Sequence, residues 1–172
     1  HLDALGEPLY SDIQGPSVLE EARKRHGNPK LRSSDIEMKD LFVAVKDYYL
    51  EPGPTKNLID FCMNHQLSMT NLLLLGIRTY LSKVNNGQED ITIQNFISRR
   101  STHDEWTSGG SRTIMFPCRT VITPETDFLS AAYEIQNMQN RIYMHSNYDP
   151  AFIMDEMRKR YNTPEHTGYE SC

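Results

Sequence analysis

From Pro54 onward the apolar positions of this chain recur with the period of a helix, then of a strand, then of a helix again. Leu58, Ile59, Cys62 and Met63 share one side of a helix that Pro54 can open at its first position. Ser68 predicts the cap of a second helix, in which Met69, Leu72, Leu73, Ile77, Tyr80, Leu81 and Val84 follow the i, i+3, i+4 rule. Leu74 and Leu75 widen its apolar arc until little is left for water, so this is a core helix, ended by Asn85-Asn86-Gly87. Ile91 to Ile97 is a strand by its β-branched content, and Arg112 to Ile122 is another. Pro117 cannot donate to a ladder, which makes the second an edge strand or places a bulge near its middle. Between them Ser98 to Ser111 is polar and contains Gly109-Gly110, the pattern of a mobile loop. Thr126 or Asp127 opens a long helix with Phe128, Ala131, Ala132, Ile135, Met138 and Ile142 on one stripe, and Asp149-Pro150 opens a last one through Met157.

The first fifty residues are less regular. Leu5 to Gly15 reads as an extended connector. Ser17 to His26 predicts a short helix, with Ser17 as cap, Glu20 completing a capping box, and Gly27 and Pro29 as the stop. Leu41 to Leu50 is rich in Phe, Val and Tyr and predicts a strand, although a helix from Asp35 is an alternative. Helix, helix, strand, strand, helix, helix is an α/β order in which helices cover a sheet. No repeat interrupts it.

Composition narrows the function classes. A chain of 172 residues is of single-domain size, and 18 Lys plus Arg against 23 Asp plus Glu leave a net charge of −5. Such a balance argues against binding nucleic acid by neutralising phosphates. Apolar runs such as Leu72 to Leu75 are far too short to span a membrane, and no secretory signal precedes them. Three cysteines without motif spacing, Cys62, Cys118 and Cys172, point to a reducing, cytoplasmic setting. The chain starts at His1 rather than Met, which raises the expectation of a piece of something longer.

Candidate chemistry is sparse. The sequence contains no G-x-S-x-G, no Walker phosphate loop, no G-x-G-x-x-G and no H-E-x-x-H. Cys62 and His65 have i, i+3 spacing, but no second pair accompanies them, so they read as a core thiol and a marginal imidazole rather than a zinc site. His103-Asp104-Glu105 could bind metal or move protons, yet adjacent residues rarely converge on one atom, and a solvated loop is the better reading. The eight methionines, with Met138, Met144, Met154 and Met157 in the last two helices, read as adaptable core filling rather than a pantetheine-binding strip. Arg99 and Arg100 follow directly on an apolar strand and call for a carboxylate or phosphate nearby. Either one is solvated while the other pairs with a local Asp such as Asp104, or the two serve an interface or site.

The ordered segments DFCMNHQLSMTNLLLLGIRTYLSKV, DITIQNFISRR, GSRTIMFPCR and HSNYDPAF resemble the C-terminal half of a condensation domain of nonribosomal peptide synthetases, within the chloramphenicol-acetyltransferase-like fold. Arg100 falls on the Arg that ends the family's strand. Gly110, Pro117 and Arg119 fall on the Gly, Pro and Arg of its next strand. His145 matches the His of a later His-Gln-Asp-x-Pro-Phe motif; Asn147 stands for the Asp, and Pro150 and Phe152 are offset by one residue. The resemblance covers about Leu50 to Phe152. Two positions depart from it: Ile114 stands for the family Asn and Arg99 for the Gly before Arg100.

The resemblance implies a chloramphenicol-acetyltransferase-like half-fold, a single lobe with a mixed sheet covered by helices. Residues 1–50 would form a connector with a short helix and a first strand, and 51–172 the C-terminal lobe. It also implies amide formation between thioesters carried by 4'-phosphopantetheine on two peptidyl carrier protein domains, in a tunnel between this lobe and the N-terminal lobe. No cofactor or metal would be bound by this chain directly. The family's His-His-x-x-x-Asp-Gly motif belongs to the other lobe, and none of the six histidines here is adjacent to another. Amide formation needs a group that accepts the amine proton and donors that support the oxyanion, so this chain alone would be catalytically incomplete. Arg100 would brace the other lobe by pairing with the motif's Asp, while Ser98, Arg99, Gly110, Arg119 and His145 would line the tunnel or interface. The alternative is a non-catalytic, carrier-binding interaction module of the same fold. A lobe that works against a partner would expose an apolar patch where that partner sits.

Overall fold

The computed structural model describes Gly6, Leu9 and residues 16–29, 45–100 and 102–161. Helix α1 (Pro16–His26) is followed by α2 (Pro52–Asn64), α3 (Met69–Val84), strand β1 (Asp90–Ser98), the short α4 (His103–Thr107), β2 (Thr113–Val121), α5 (Phe128–Met144) and α6 (Pro150–Tyr161).

The helix ends follow local chemistry. Pro16 opens α1, so Ser17 lies inside its first turn rather than before it; the preset φ of proline suits the first helical position. Gly27, at φ +63°, ends the helix: its N–H bonds Lys24 O and that of Asn28 bonds Arg23 O. Helix α2 starts at Pro52 rather than Pro54, after Glu51 in the extended backbone that a residue before proline prefers. Ser68 caps α3 by accepting from Asn71 N–H at 3.1 Å, and Asp127 caps α5 by accepting from Leu129 and Ser130, both at 3.0 Å. Helix α3 ends at Val84 with Asn85 as its C-terminal cap, followed by Asn86 and Gly87 with positive φ. The last helix runs beyond Met157 to Tyr161.

The strands pair antiparallel in continuous register from Asp90–Val121 to Ser98–Thr113, so among the described residues the sheet is a two-stranded antiparallel hairpin, not a mixed sheet. Arg99 donates to Arg112 O and Ile122 to Glu89 O, both at 3.1 Å, which makes the pairs at odd-numbered β1 residues the hydrogen-bonded ones. Gln94–Pro117 is therefore a non-hydrogen-bonded pair. The proline nitrogen faces away from β1 and costs the ladder nothing, so the edge assignment holds and no bulge is needed.

One side of the hairpin meets the helices. Ile91, Ile93 and Ile97 of β1, with Phe116 and Cys118 of β2, pack on Leu74, Leu75 and Leu81 of α3 and on Ala131, Ala132, Ile135, Met138 and Ile142 of α5. These helices cover one sheet face in the manner of an α/β layer. The other face is left with Phe96 56%, Met115 42% and Val121 47% exposed.

Several apolar positions assigned to the core lie outside it. Ile59 and Met63 of α2, Leu73 and Tyr80 of α3, and Phe128 of α5 are exposed, because each helix meets the sheet or its neighbours along a narrower stripe than its apolar arc. Of the methionines in the last two helices, Met138 and Met157 are buried and Met144 is exposed. The strand expected over 41–50 does not form across residues 45–50, which have no ladder partner; β1 and β2 pair with each other, and Val45, Tyr48, Tyr49 and Leu50 are exposed. Residues 41–44, most of the 5–15 connector, Met154's side chain and Cys172 lie outside the described residues.

Candidate functional site

The polar stretch between the strands is built rather than loose. Thr102 and Glu105 form a capping box: Thr102 Oγ1 accepts from Glu105 N–H and Glu105 Oε2 from Thr102 N–H, each at 3.2 Å. This nucleates α4, a helix that the expectation of a mobile loop missed. The other carboxylate oxygen of Glu105 meets Arg112 Nη1 at 2.5 Å.

Arg100 closes the connection from within. Its Nη1 donates to Glu105 O and, at 2.8 Å, to Ser108 O, while Nη2 donates to Gly110 O at 2.6 Å. In return Trp106 Nε1 donates to Arg100 O at 3.1 Å, and Ser98 Oγ accepts from Arg100 N–H at 3.4 Å. A planar guanidinium can reach three carbonyls at once because its donors form a rigid fork. Gly110 sits at φ +89°, a conformation that side chains resist, and this turns its carbonyl back to the fork. Asp104 is not the partner of Arg100; backbone carbonyls are. Arg99 is half-buried, and its guanidinium meets no carboxylate among the described residues. Of His103-Asp104-Glu105 only Glu105 joins the network, and no metal-binding cluster occurs among the described residues.

The remaining candidates lie elsewhere. Arg119 grips Asp90 with both ends of its fork, Nε–Oδ1 at 2.8 Å and Nη2–Oδ2 at 2.6 Å, and its Nη1 donates to Gly6 O at 2.6 Å. Arg119 faces Thr92 in the register, six residues along β1 from Ser98, so it stands about 20 Å from the Arg100 loop. His145 follows the last turn of α5 as its C-terminal cap, exposed, with its backbone N–H bonded back into the helix. Ser98, Arg99, Arg100 and Gly110 are thus one cluster, and Arg119 belongs to another. Cys62 is buried, and His65 stacks at 4.5 Å on Phe61 while its carbonyl accepts from Tyr133.

The reading of apolar periodicity missed Arg78. It is 5% exposed within α3, donating through Nη2 to Glu89 O and to Ile122 O at 3.2 Å, and through Nε to Thr120 Oγ1 at 3.4 Å. Burial pulls its pKa below the ordinary guanidinium value, and Asp90 and Glu89 pull it back up. A second polar chain joins helix to sheet: Asn95 donates to Gln139 at 2.9 Å, and Gln139 reaches Cys118 Sγ at 3.3 Å. Burial drives the Cys118 thiol up from 9.0 to about 12, with the Gln139 contact opposing it. This thiol is no nucleophile near neutrality. What the Arg100 loop can do is present cations and an exposed indole from a preorganised frame.

The sequence model described as Condensation domain matches residues 28–167. A plipastatin synthase subunit from Bacillus subtilis (strain 168) is 23% identical over 109 residues, a stretch covering 63% of this chain and 4% of that protein. Among solved structures, the first condensation domain of the CDA synthetase aligns with a TM-score of 0.59 at 13% identity, over 70% of this chain and 26% of that one. The first condensation domain of the calcium-dependent antibiotic synthetase in complex with substrate analogue 2a aligns equally well, with 27% of its chain covered. These structures share the fold, and the chain spans about a quarter of their length.

Proposed function

This chain belongs to the condensation-domain family, and from that premise we propose that it forms the C-terminal lobe of such a domain in a nonribosomal peptide synthetase. The parent joins two carrier-bound thioesters into an amide, and the base and oxyanion donors come from the N-terminal lobe. The observation that carries this reading is the one-sided burial of the β1–β2 hairpin: α3 and α5 cover one face, while Phe96, Met115 and Val121 remain exposed on the other. An apolar sheet face of this kind suits a tunnel wall for acyl chains on a phosphopantetheine arm. Free thiols at Cys62 and Cys118 fit a cytoplasmic setting, and among the described residues no helix is long and apolar enough to cross a membrane.

The test uses the parent chain, with donor and acceptor thioesters each loaded on its carrier protein and product followed by mass spectrometry. Amide should form with the parent and not with the 172-residue chain alone. A parent that binds both carriers yet makes no amide, and whose reading frame lacks His-His-x-x-x-Asp-Gly, would instead be a carrier-binding module.

A further inference from the structure

Three arginines, Arg99, Arg100 and Arg112, gather at the end of the hairpin where the 99–112 connection joins its strands, and they are held in three different ways. Arg100 is caged by the carbonyls of Glu105, Ser108 and Gly110. Arg112 is matched by the Glu105 carboxylate. Arg99 extends the ladder by donating its N–H to Arg112 O, so the two cations stand directly opposite each other across the strands. Like charges so placed repel, and Glu105 relieves only the Arg112 side. Arg99 is half-buried with no hydrogen bond or ion pair for its guanidinium among the described residues. Partial burial raises the cost of leaving that charge unmatched.

From this division we infer that Arg100 is a positioning residue that clamps the 99–112 connection from inside, and that Arg99 is the cation offered outward, to a carboxylate on the rest of the parent condensation domain. The inference rests on the reading of the chain as one lobe of a larger domain. Arg100 needs the guanidinium fork, since its three carbonyls are reached from two separate nitrogens, Nη1 and Nη2, and an ammonium offers its donors from one; Arg99 needs only positive charge. The two roles therefore differ in what lysine can replace.

Four variants separate them: Arg99→Lys, Arg99→Gln, Arg100→Lys and Arg100→Gln. Trp106 is the single tryptophan of the chain and its indole N–H bonds Arg100 O, so its one indole resonance reports on the loop in the 172-residue chain. Both Arg100 variants should shift that resonance and speed exchange of the Trp106 and Ser108 amides by about tenfold or more, the loss of at least one charge-assisted hydrogen bond. Neither Arg99 variant should move them. In the parent, Arg99→Gln should lower the thermal midpoint, more so at low salt than at high, while Arg99→Lys keeps it at the wild-type value. The assignment is overturned if Arg100→Lys restores the wild-type loop, if Arg99→Gln perturbs the indole as Arg100→Gln does, or if Arg99→Gln leaves the parent's midpoint unchanged. Absence of amide synthesis by the wild-type parent would defeat the functional reading while leaving the indole result to stand or fall by itself.

Discussion

Arg78 and Cys118 show how single residues are set by surroundings that a linear pattern does not display. Arg78 lies four residues after Leu74 and three before Leu81, inside the buried stripe of α3, and it pins the end of the hairpin through Glu89 O, Ile122 O and Thr120. A helical wheel places it on the buried side; its charge argues for solvent, and apolar periodicity alone passes over the conflict. A cation on the core stripe beside a strand end was the available signal. Cys118 carries a testable consequence. Its thiol is raised in the folded chain, so between about pH 9 and pH 12 the unfolded state loses the proton that the folded state keeps. Stability contributed by the neutral thiol is complete below pH 9 and falls as pH rises through that window, at up to about 1.4 kcal/mol per pH unit. Urea unfolding of wild type and Cys118→Ala across about pH 8 to 11 should show the wild-type curve falling more steeply above about pH 9. Parallel curves would mean that the thiol ionises in the folded chain as freely as in the unfolded one.

The helices and strands were legible where periodicity is long, and obscure where an element is short or partnerless. The 3.6-residue rhythm of α3 and α5 extends over several turns, and Ser68 and Asp127 perform the capping their side chains suggest. Helix α4 is five residues long, too short to have a period, although Thr102 and Glu105 already had the capping-box spacing. Residues 45–50 have strand-like composition but pair with neither β1 nor β2, and β-propensity expresses packing on a partner more than the backbone's own preference. The α2–α3 turn offers an element-scale prediction. Gln66 adopts φ +53° as the left-handed residue ending α2, with Leu67 N–H bonded to Cys62 O at 2.9 Å. Its own contribution beyond the turn is a backbone carbonyl, which accepts from Gln136 Nε2 at 3.2 Å. Gln66→Gly keeps that carbonyl and removes the Cβ strain, so chemical denaturation should show a gain of up to about 1 kcal/mol. A loss of stability would mean that the Gln66 side chain contributes beyond its backbone.

At the scale of the whole molecule, the candidate site was legible only in part, because the linear motifs name positions and say nothing of which end of the hairpin each occupies. Arg100 and Gly110 are brought together as their neighbourhood in sequence suggests, whereas Arg119 closes on Asp90 at the far end. That far end is already occupied: Thr92 is 4% exposed, and Gly6 reaches Arg119. Apart from Val121, the exposed apolar surface of this face therefore lies toward the other end, where Phe96 and Met115 stand directly opposite each other with Pro117 nearby. A two-stranded sheet with one naked face is marginal in water, and each strand has a free edge among the described residues. Pro117 removes a donor from the outer edge of β2, whereas β1 turns the N–H and C=O of Thr92, Gln94 and Phe96 outward without interruption. Association of the isolated chain should thus run through the Phe96–Met115 face and the β1 edge. Sedimentation velocity should show concentration-dependent dimers or larger species for the wild-type chain, and a monomer for the Phe96→Lys/Met115→Lys pair, whose thermal midpoint stays close to wild type because both side chains are exposed. A wild-type chain that remains monomeric at about 100 μM, or a lysine pair that associates equally, would place the cohesive surface elsewhere and weaken the case for the hairpin's open face as the wall against which the rest of the domain packs.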